Sequence, residues 1–275
     1  MITKETQGIF IKDELFDPKA ILTCGQVFRF KEENDAWIVH SKDKRAIITK
    51  ENDGYNISGD TEFFYNYFDL SNDYQSIINT LADKPLINEA LTIGKGIRIL
   101  KQDPFETIIS FIISANNLIP RIKGIIERLC LNLGENMGEY HAFPTAEIMA
   151  QQPLEFYTKI GCGYRDQFLL DTARTIANGD FDIEKPFHLT TEEAKKYLMT
   201  LKGVGPKVAD CILLFAYEKY DVFPVDTWIK KLYFSIFPEK PTTTSPIQMR
   251  KELVELYGNY AGIGQQYLFY KIRGK

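Results

Sequence analysis

Apolar positions along the chain follow two periodicities. Through the first fifty-odd residues they fall in short runs: QVFRF at 26–30 alternates, and AWIVH at 36–40 and RAIIT at 45–49 are brief and rich in β-formers. ENDGYNI at 51–57 carries Asp53-Gly54, a hairpin signal. This part reads as β structure. Helical spacing begins around EFFYNYF at 62–68, and from about residue 103 the chain reads as nearly all helix.

The helix starts are marked. In DPFETIISFII, Asp103 stands at an N-cap, Pro104 at the first helical position and Glu106 at the capping-box position. Phe105, Ile108, Ile109, Ile112 and Ile113 then share a face. After the polar SANN at 114–117 a second helix starts near Pro120, buries Ile122, Ile125, Ile126 and Leu129, and stops at Gly134. Further on, TTEEAKKYLMTL opens with a capping box from Thr190 to Glu193, and PKVADCILLFAYEK starts at Pro206. Gly203-Val204-Gly205 joins these two helices through a tight hairpin. The expected fold class is α+β: an N-terminal antiparallel β-sheet domain with flanking helices over 1–100, then an all-α domain over 101–275.

Composition narrows the function classes. At 275 residues, with 44% hydrophobic and 25% charged positions, the chain suits one large or two ordinary globular domains. No run of eighteen uncharged apolar residues offers a membrane span. MITKETQGIF has neither a signal-peptide core nor a transit pattern, so a cytoplasmic location is expected. The four cysteines, Cys24, Cys130, Cys162 and Cys211, are scattered without a C-x-x-C pair, which argues against a zinc ribbon or an iron–sulfur cluster. The net charge of −4 is unevenly placed: residues 51–89 carry eight acids and one base, while 94–128 carry six bases and three acids. A basic face outside the early acidic part is therefore compatible with the sum.

The hairpin suggests chemistry. Backbone N–H groups there, with the positive end of the next helix, can bind a phosphodiester. An ordinary helix–turn–helix connector competes with that reading. Lys207 changes the balance, because the helix dipole disfavours an ammonium at the first turn and a neutral amine is a nucleophile. Nineteen residues later, in FPVDTWIKK, Asp226 reads as an N-cap. It is either a cap alone or a carboxylate that stabilises positive charge on a sugar and orients the amine.

LKGVGPKVADC at 201–211 and VFPVD at 222–226 resemble the signature of the helix–hairpin–helix DNA glycosylase superfamily. CGQVFRF at 24–30, ISANNLIPRIKGIIERLC at 113–130, GCGYR at 161–165 and YAGIGQQYLFY at 260–270 narrow the resemblance to the 8-oxoguanine DNA glycosylase/AP lyase family. The match covers almost the whole chain, with separated motifs in order.

The resemblance implies roles residue by residue. Lys207 matches the nucleophile and Asp226 the catalytic carboxylate. Gly25, Cys211, Gln265 and Phe269 match the pocket for the flipped base. Asn116, Arg121, Tyr164 and Arg165 match residues that fill the gap in the duplex and read the orphaned cytosine, and Gly203 and Gly205 match the DNA-binding hairpin. The carbonyls of Met199, Leu201 and Val204 match a site where a monovalent or calcium cation bridges to a DNA phosphate. No other cofactor is implied. The implied partner is duplex DNA containing 8-oxoguanine, and the implied protein is a monomer. Trp228 departs from the pattern, since many relatives carry His there to contact a phosphate.

The chemical logic is that a damaged base must leave the stack before it can be attacked. Its N7 has become a donor, which the Gly25 carbonyl would accept, and the Gln265 amide would meet its Watson–Crick edge. The expected reaction is base excision through a lysine Schiff base followed by β-elimination. A glycosylase for an alkylated purine and a DNA-binding module without catalysis are the alternatives; Lys207 and Asp226 argue against the second.

Overall fold

The computed structural model describes residues 1–5 and 8–274. Six strands form one antiparallel sheet: β1 Ile2–Glu5, β2 Gly8–Ile11, β3 Phe30–Glu33, β4 Ala36–Ser41, β5 Lys44–Glu51 and β6 Gly54–Ser58. Their order is β1-β2-β6-β5-β4-β3. Alternation puts Ile9, Ile11, Val39, Ala46, Ile48 and Ile57 on a buried face, packed with Phe16, Phe64, Tyr67 and Phe68. The architecture is α+β, with the sheet followed by helices.

Two local expectations shift. The β5–β6 loop is Asn52-Asp53, because Glu51 pairs with Gly54, and Asn52 takes the left-handed conformation at φ +46°. Gly54 lies inside the strand, where a Cβ would come 2.5 Å from the Ile11 carbonyl oxygen. QVFRF is mostly not strand; only Phe30 belongs to β3. Gln26 is the reason. Its Nε2 donates to Ile21 O (2.9 Å) and Arg98 O (2.8 Å), and its Oε1 accepts from Leu100 N (2.8 Å). A buried side chain thus takes the place of a ladder partner for this segment.

The larger core lies among the helices. It collects Ile108, Ile112, Ile125, Leu198, Ile212, Leu213, Leu253 and Leu268, and also Cys24, Tyr74 and Ile87 from the first hundred residues. Helix Ile87–Ile93 packs on helix Ala261–Arg273. In helix Pro206–Ala216 every residue from Val208 onward is buried. Truncating Leu213 to Ala there would cost about 2–5 kcal/mol.

The sheet and the helices are joined at a charged seam. Asp103 caps helix Pro104–Ser114 as expected, accepting from Glu106 N at 2.9 Å. The Glu106 carboxylate does not complete the box. It accepts from Lys42 N (2.7 Å) and pairs with Arg29 Nη1 (3.3 Å), both from the sheet side. Arg29 Nη2 donates to His141 O at 2.6 Å. Breaking one partner of such a buried pair costs about 3–5 kcal/mol.

Candidate active site

Helix Pro206–Ala216 begins at an uncapped end: among the described residues no side chain bonds its first amides. Gly203 before it has φ +84°, and a Cβ there would meet Phe168 at 3.0 Å. Both conformation and packing therefore require glycine. Gly205 differs. Its φ is −88°, and a Cβ would meet nothing within 4 Å. The fold does not need that glycine; the free space beside the open amides suits the close approach of an anion. Thr172 Oγ1 donates to Lys202 O (3.1 Å), so helix Asp166–Ala177 holds the hairpin through both Phe168 and Thr172.

Lys207 is half-buried one residue into the helix. Its Nζ lies 5.7 Å from the Phe111 ring centroid, and Phe111 stacks on Phe215 at 5.4 Å. Phe28 packs against Phe111 at 5.6 Å, which ties the segment after Gly25 to the lysine's floor. Burial pushes the Cys211 thiol up; the charge of Lys207 and a hydrogen bond to it pull the other way, and the Asp226 carboxylate pushes up further. Lysine, thiol and carboxylate are thus electrostatic neighbours. Asp226 caps helix Thr227–Ile236, and both cap bonds fall on Oδ1, from Trp228 N (3.0 Å) and Ile229 N (2.8 Å). Oδ2 takes part in neither. Trp228 is 42% exposed, with Lys231 Nζ 5.0 Å from its ring.

Two neighbouring helices brace the lysine helix through an ion cluster. Asp210, nearly fully buried, pairs with Lys195 Nζ (2.9 Å) and Arg250 Nε (2.8 Å), and Arg250 Nη1 reaches Glu192 (2.7 Å). The cluster joins Thr191–Leu198, Pro206–Ala216 and Pro246–Tyr257. Sequence reasoning did not identify it, because four charged residues spread over three helices give no periodic signal.

Gly25 has φ +93°, and a Cβ there would press on Arg273 Nη1 at 2.9 Å and Phe269 Cε1 at 3.3 Å. Its loop is fixed on either side by Gln26 and by Gln266 Nε2, which donates to Cys24 O at 2.6 Å. Gln265 is 4% exposed, and its Oε1 is buried without a hydrogen-bond partner among the described residues. A buried amide acceptor left open costs about 1–3 kcal/mol, which a donor arriving there would recover. The adjacent Gln265-Gln266 was the visible sign of this region; the separate tasks of the two amides were not.

The remaining residues meet at a loop. Asn116 is exposed in the left-handed region at φ +49°, which Asn tolerates. Leu118 beside it is 76% exposed, Tyr164 is 59% exposed, and the Tyr164 hydroxyl donates to Ala115 O at 3.2 Å. Arg121 is exposed and donates to Gly161 O at 3.3 Å. Arg165 is 3% exposed. It donates from Nε to Ala115 O (3.0 Å), from Nη2 to Ala115 O and Asn116 O (3.0 Å to the latter), and from Nη1 to Cys162 O (3.2 Å). The guanidinium expected at an orphan base is here the internal clamp of the 115–116 backbone. Tyr164 and Phe168 contact edge to face at 6.3 Å, so one helix start carries both this loop and the glycine hairpin.

The three carbonyls at 199, 201 and 204 offer neutral oxygen donors suited to a hard cation. Leu201 O accepts from Val204 N at 3.2 Å, which leaves it a second lone pair. Among the described residues no group of three or more His, Cys, Asp and Glu side chains is arranged for a metal, and no helix is long and apolar enough to cross a membrane.

Residues 8–108 match the family described as 8-oxoguanine DNA glycosylase, N-terminal domain. The N-glycosylase/DNA lyase of Saccharomyces cerevisiae is 33% identical over 214 residues, 64% of this chain and 57% of that protein's length. A probable N-glycosylase/DNA lyase of Methanothermobacter thermautotrophicus is 33% identical over 228 residues, covering 74% of this chain and 71% of the relative. The 8-oxoguanine glycosylase/lyase of Clostridium acetobutylicum, solved with duplex DNA containing cytosine opposite 8-oxoG, superposes with a TM-score of 0.93 at 36% identity, covering 100% of this chain and 98% of that one.

Proposed function

The chain belongs to the 8-oxoguanine DNA glycosylase/AP lyase family of the helix–hairpin–helix superfamily, and from that premise we propose that it excises 8-oxoguanine from duplex DNA, preferably opposite cytosine, and nicks the strand. The observation that carries the reading is that Lys207 and Asp226 each stand at a helix start, with Oδ2 of the Asp226 carboxylate outside the cap bonds and both charges acting on the buried Cys211 thiol.

In the proposed reaction the hairpin amides grip a phosphate and the lesion nucleotide swings out of the stack. The base enters between Phe269 and Cys211. Gln265 Oε1 accepts a donor from its Watson–Crick edge, and the Gly25 carbonyl accepts N7–H, which guanine lacks. The Lys207 amine attacks C1′ through its nitrogen lone pair as the C1′–N9 bond breaks, and the base leaves with the electron pair and is protonated. Asp226 stabilises the cationic sugar through its open oxygen. Loss of an amine proton and ring opening give the Schiff base. Removal of a C2′ proton then expels the 3′ phosphate. Amine and carboxylate suffice for these steps, so no redox cofactor is required. A monovalent or calcium cation at the carbonyls of Met199, Leu201 and Val204 would add a bridge to a DNA phosphate. The enzyme is proposed to act as a monomer.

Asn116 and Tyr164 would fill the space the lesion leaves. Arg121, with few internal bonds, is the freer guanidinium for the N3 and O2 acceptors of an orphaned cytosine. Arg165 would join it only by releasing the carbonyls it holds, and otherwise it positions Asn116. Single-turnover excision with each of the four bases opposite the lesion tests the whole reading. Release should be faster opposite cytosine than adenine by about tenfold or more per good bidentate contact. Equal rates would remove the orphan-base assignment, and no release from any duplex would remove the function.

A further inference from the structure

Arg273, at the end of the C-terminal helix, takes no part in the reaction as described. It nevertheless lies against residues proposed to frame the base. Its Nη1 is the nearest atom to the side-chain space of Gly25, at 2.9 Å. Its guanidinium carbon is 5.7 Å from the Phe269 ring centroid. With Thr23, Cys24, Phe269 and Tyr270 it lines a cavity of about 190 Å³. Its hydrogen bond within the described residues, from Nη2 to Thr23 O, is long at 3.5 Å. A guanidinium carries five donors in a rigid fork. Here a half-buried one faces a cavity with most of them open, and no carboxylate of the described residues is paired with it.

The chemistry of the lesion matches that arrangement. Along its Hoogsteen edge 8-oxoguanine presents O6, N7–H and O8, an acceptor, a donor and an acceptor. The Gly25 carbonyl is proposed to take the central donor. A donor standing against the side-chain space of Gly25, as Arg273 Nη1 does, is placed to meet one of the flanking oxygens. We propose that Arg273 is a specificity-determining residue that donates to a carbonyl oxygen next to N7 of the flipped purine; the proposal rests on the base-pocket reading above. If the oxygen is O8, Arg273 rejects guanine, which has C8–H there. If it is O6, Arg273 rejects adenine-derived lesions, which carry an amino group there.

The test is binding without turnover. Arg273→Met, which keeps apolar packing on Phe269 but no donor, is made in a Lys207→Gln background. Affinities are measured for duplexes holding 8-oxoguanine, 8-oxoadenine, a tetrahydrofuran abasic analogue or no damage. Loss of a hydrogen bond from a charged donor should weaken 8-oxoguanine binding about tenfold to a hundredfold and leave the tetrahydrofuran duplex unchanged. An equal loss on 8-oxoadenine identifies O8, and no loss there identifies O6. Equal weakening on the tetrahydrofuran duplex means a phosphate contact and overturns the proposal; so does unchanged 8-oxoguanine binding. Arg273→Lys, with charge but no fork, should recover part of the affinity, and melting curves confirm that each variant folds. Gln265→Ala, measured alongside, separates the two claims. If it loses lesion preference while Arg273→Met does not, only the arginine proposal fails. If neither loses it, the base pocket itself is misplaced.

Discussion

The hairpin at 203–207 leaves the amides of a helix start open, with free space at Gly205, whereas the loop at 115–118 is tied down from within by Arg165. In the first region the rigid element is the fully buried body of helix Pro206–Ala216, braced by the Asp210 ion cluster, and only its first turn is left to work. In the second no regular element spans 115–118, so a buried guanidinium supplies the rigidity and leaves Asn116, Leu118 and Tyr164 exposed. Chemistry needs a fixed nucleophile, and a helix start provides it. A wedge needs exposed side chains on a stiff base, and carbonyl clamping provides that. Phe168 couples the regions, touching Tyr164 on one side and the space of Gly203 on the other.

The largest effect sharpens the first half of the comparison. Asp226→Asn should keep the cap, since Asn caps about as well as Asp. Excision should fall by about a hundred- to a thousandfold, as for loss of a preorganised electrostatic group. Single-turnover rates and a melting curve check this; retained activity with lowered stability would make Asp226 structural.

The hairpin glycines should part company. Gly203→Ala forces an L residue to φ +84° against Phe168 and should destabilise the fold by about 1–3 kcal/mol, read from denaturant titration. Gly205→Ala should leave stability within about 0.5 kcal/mol yet weaken binding to lesion-containing duplex. Two equal stability losses would break the distinction between a glycine the fold needs and one the ligand needs.

Arg165→Ala tests the second region. Unpairing the carbonyls of Ala115, Asn116 and the buried Cys162 should cost about 1–3 kcal/mol, and any fall in cytosine preference should accompany it. Arg121→Ala should shrink the preference with little stability change. If Arg165→Ala is neutral in stability, the clamp is not what holds this loop.

The smallest effect lies at the seam, away from both regions. Burial, with Arg29 and Arg45 nearby, depresses the pKa of His40 to about 4 from its ordinary value near 6.5. A base depressed on folding loses stability as pH falls from the unfolded value toward the folded one. The loss should reach about 1 kcal/mol near pH 5.5 and be absent above pH 7. His40→Asn should flatten that slope, measured as melting temperature against pH, without altering the relative effects of the hairpin variants.

Much of the first region was legible because helix starts have a local grammar. Pro206, Asp226 and the 203–205 glycines act within a turn of where they stand, and the structure puts all of them at the starts or turns expected. The second region was legible in its residues but not in its construction. Nothing near Arg165 in sequence shows that Ala115 and Asn116, some fifty positions away, receive its donors. The same holds for Glu106, which local spacing assigned to a capping box and a distant arginine claimed. QVFRF alternates like a strand, but Gln26 finds its partners at Ile21, Arg98 and Leu100, contacts that periodicity does not encode.

The central claim is that Lys207 is the nucleophile. Incubation of the protein with duplex containing 8-oxoguanine and borohydride, resolved on a denaturing gel, tests it most directly. The account predicts a covalent protein–DNA adduct that disappears in Lys207→Gln while that variant still binds the lesion duplex. An undiminished adduct in Lys207→Gln, or none with the unaltered protein, would contradict it.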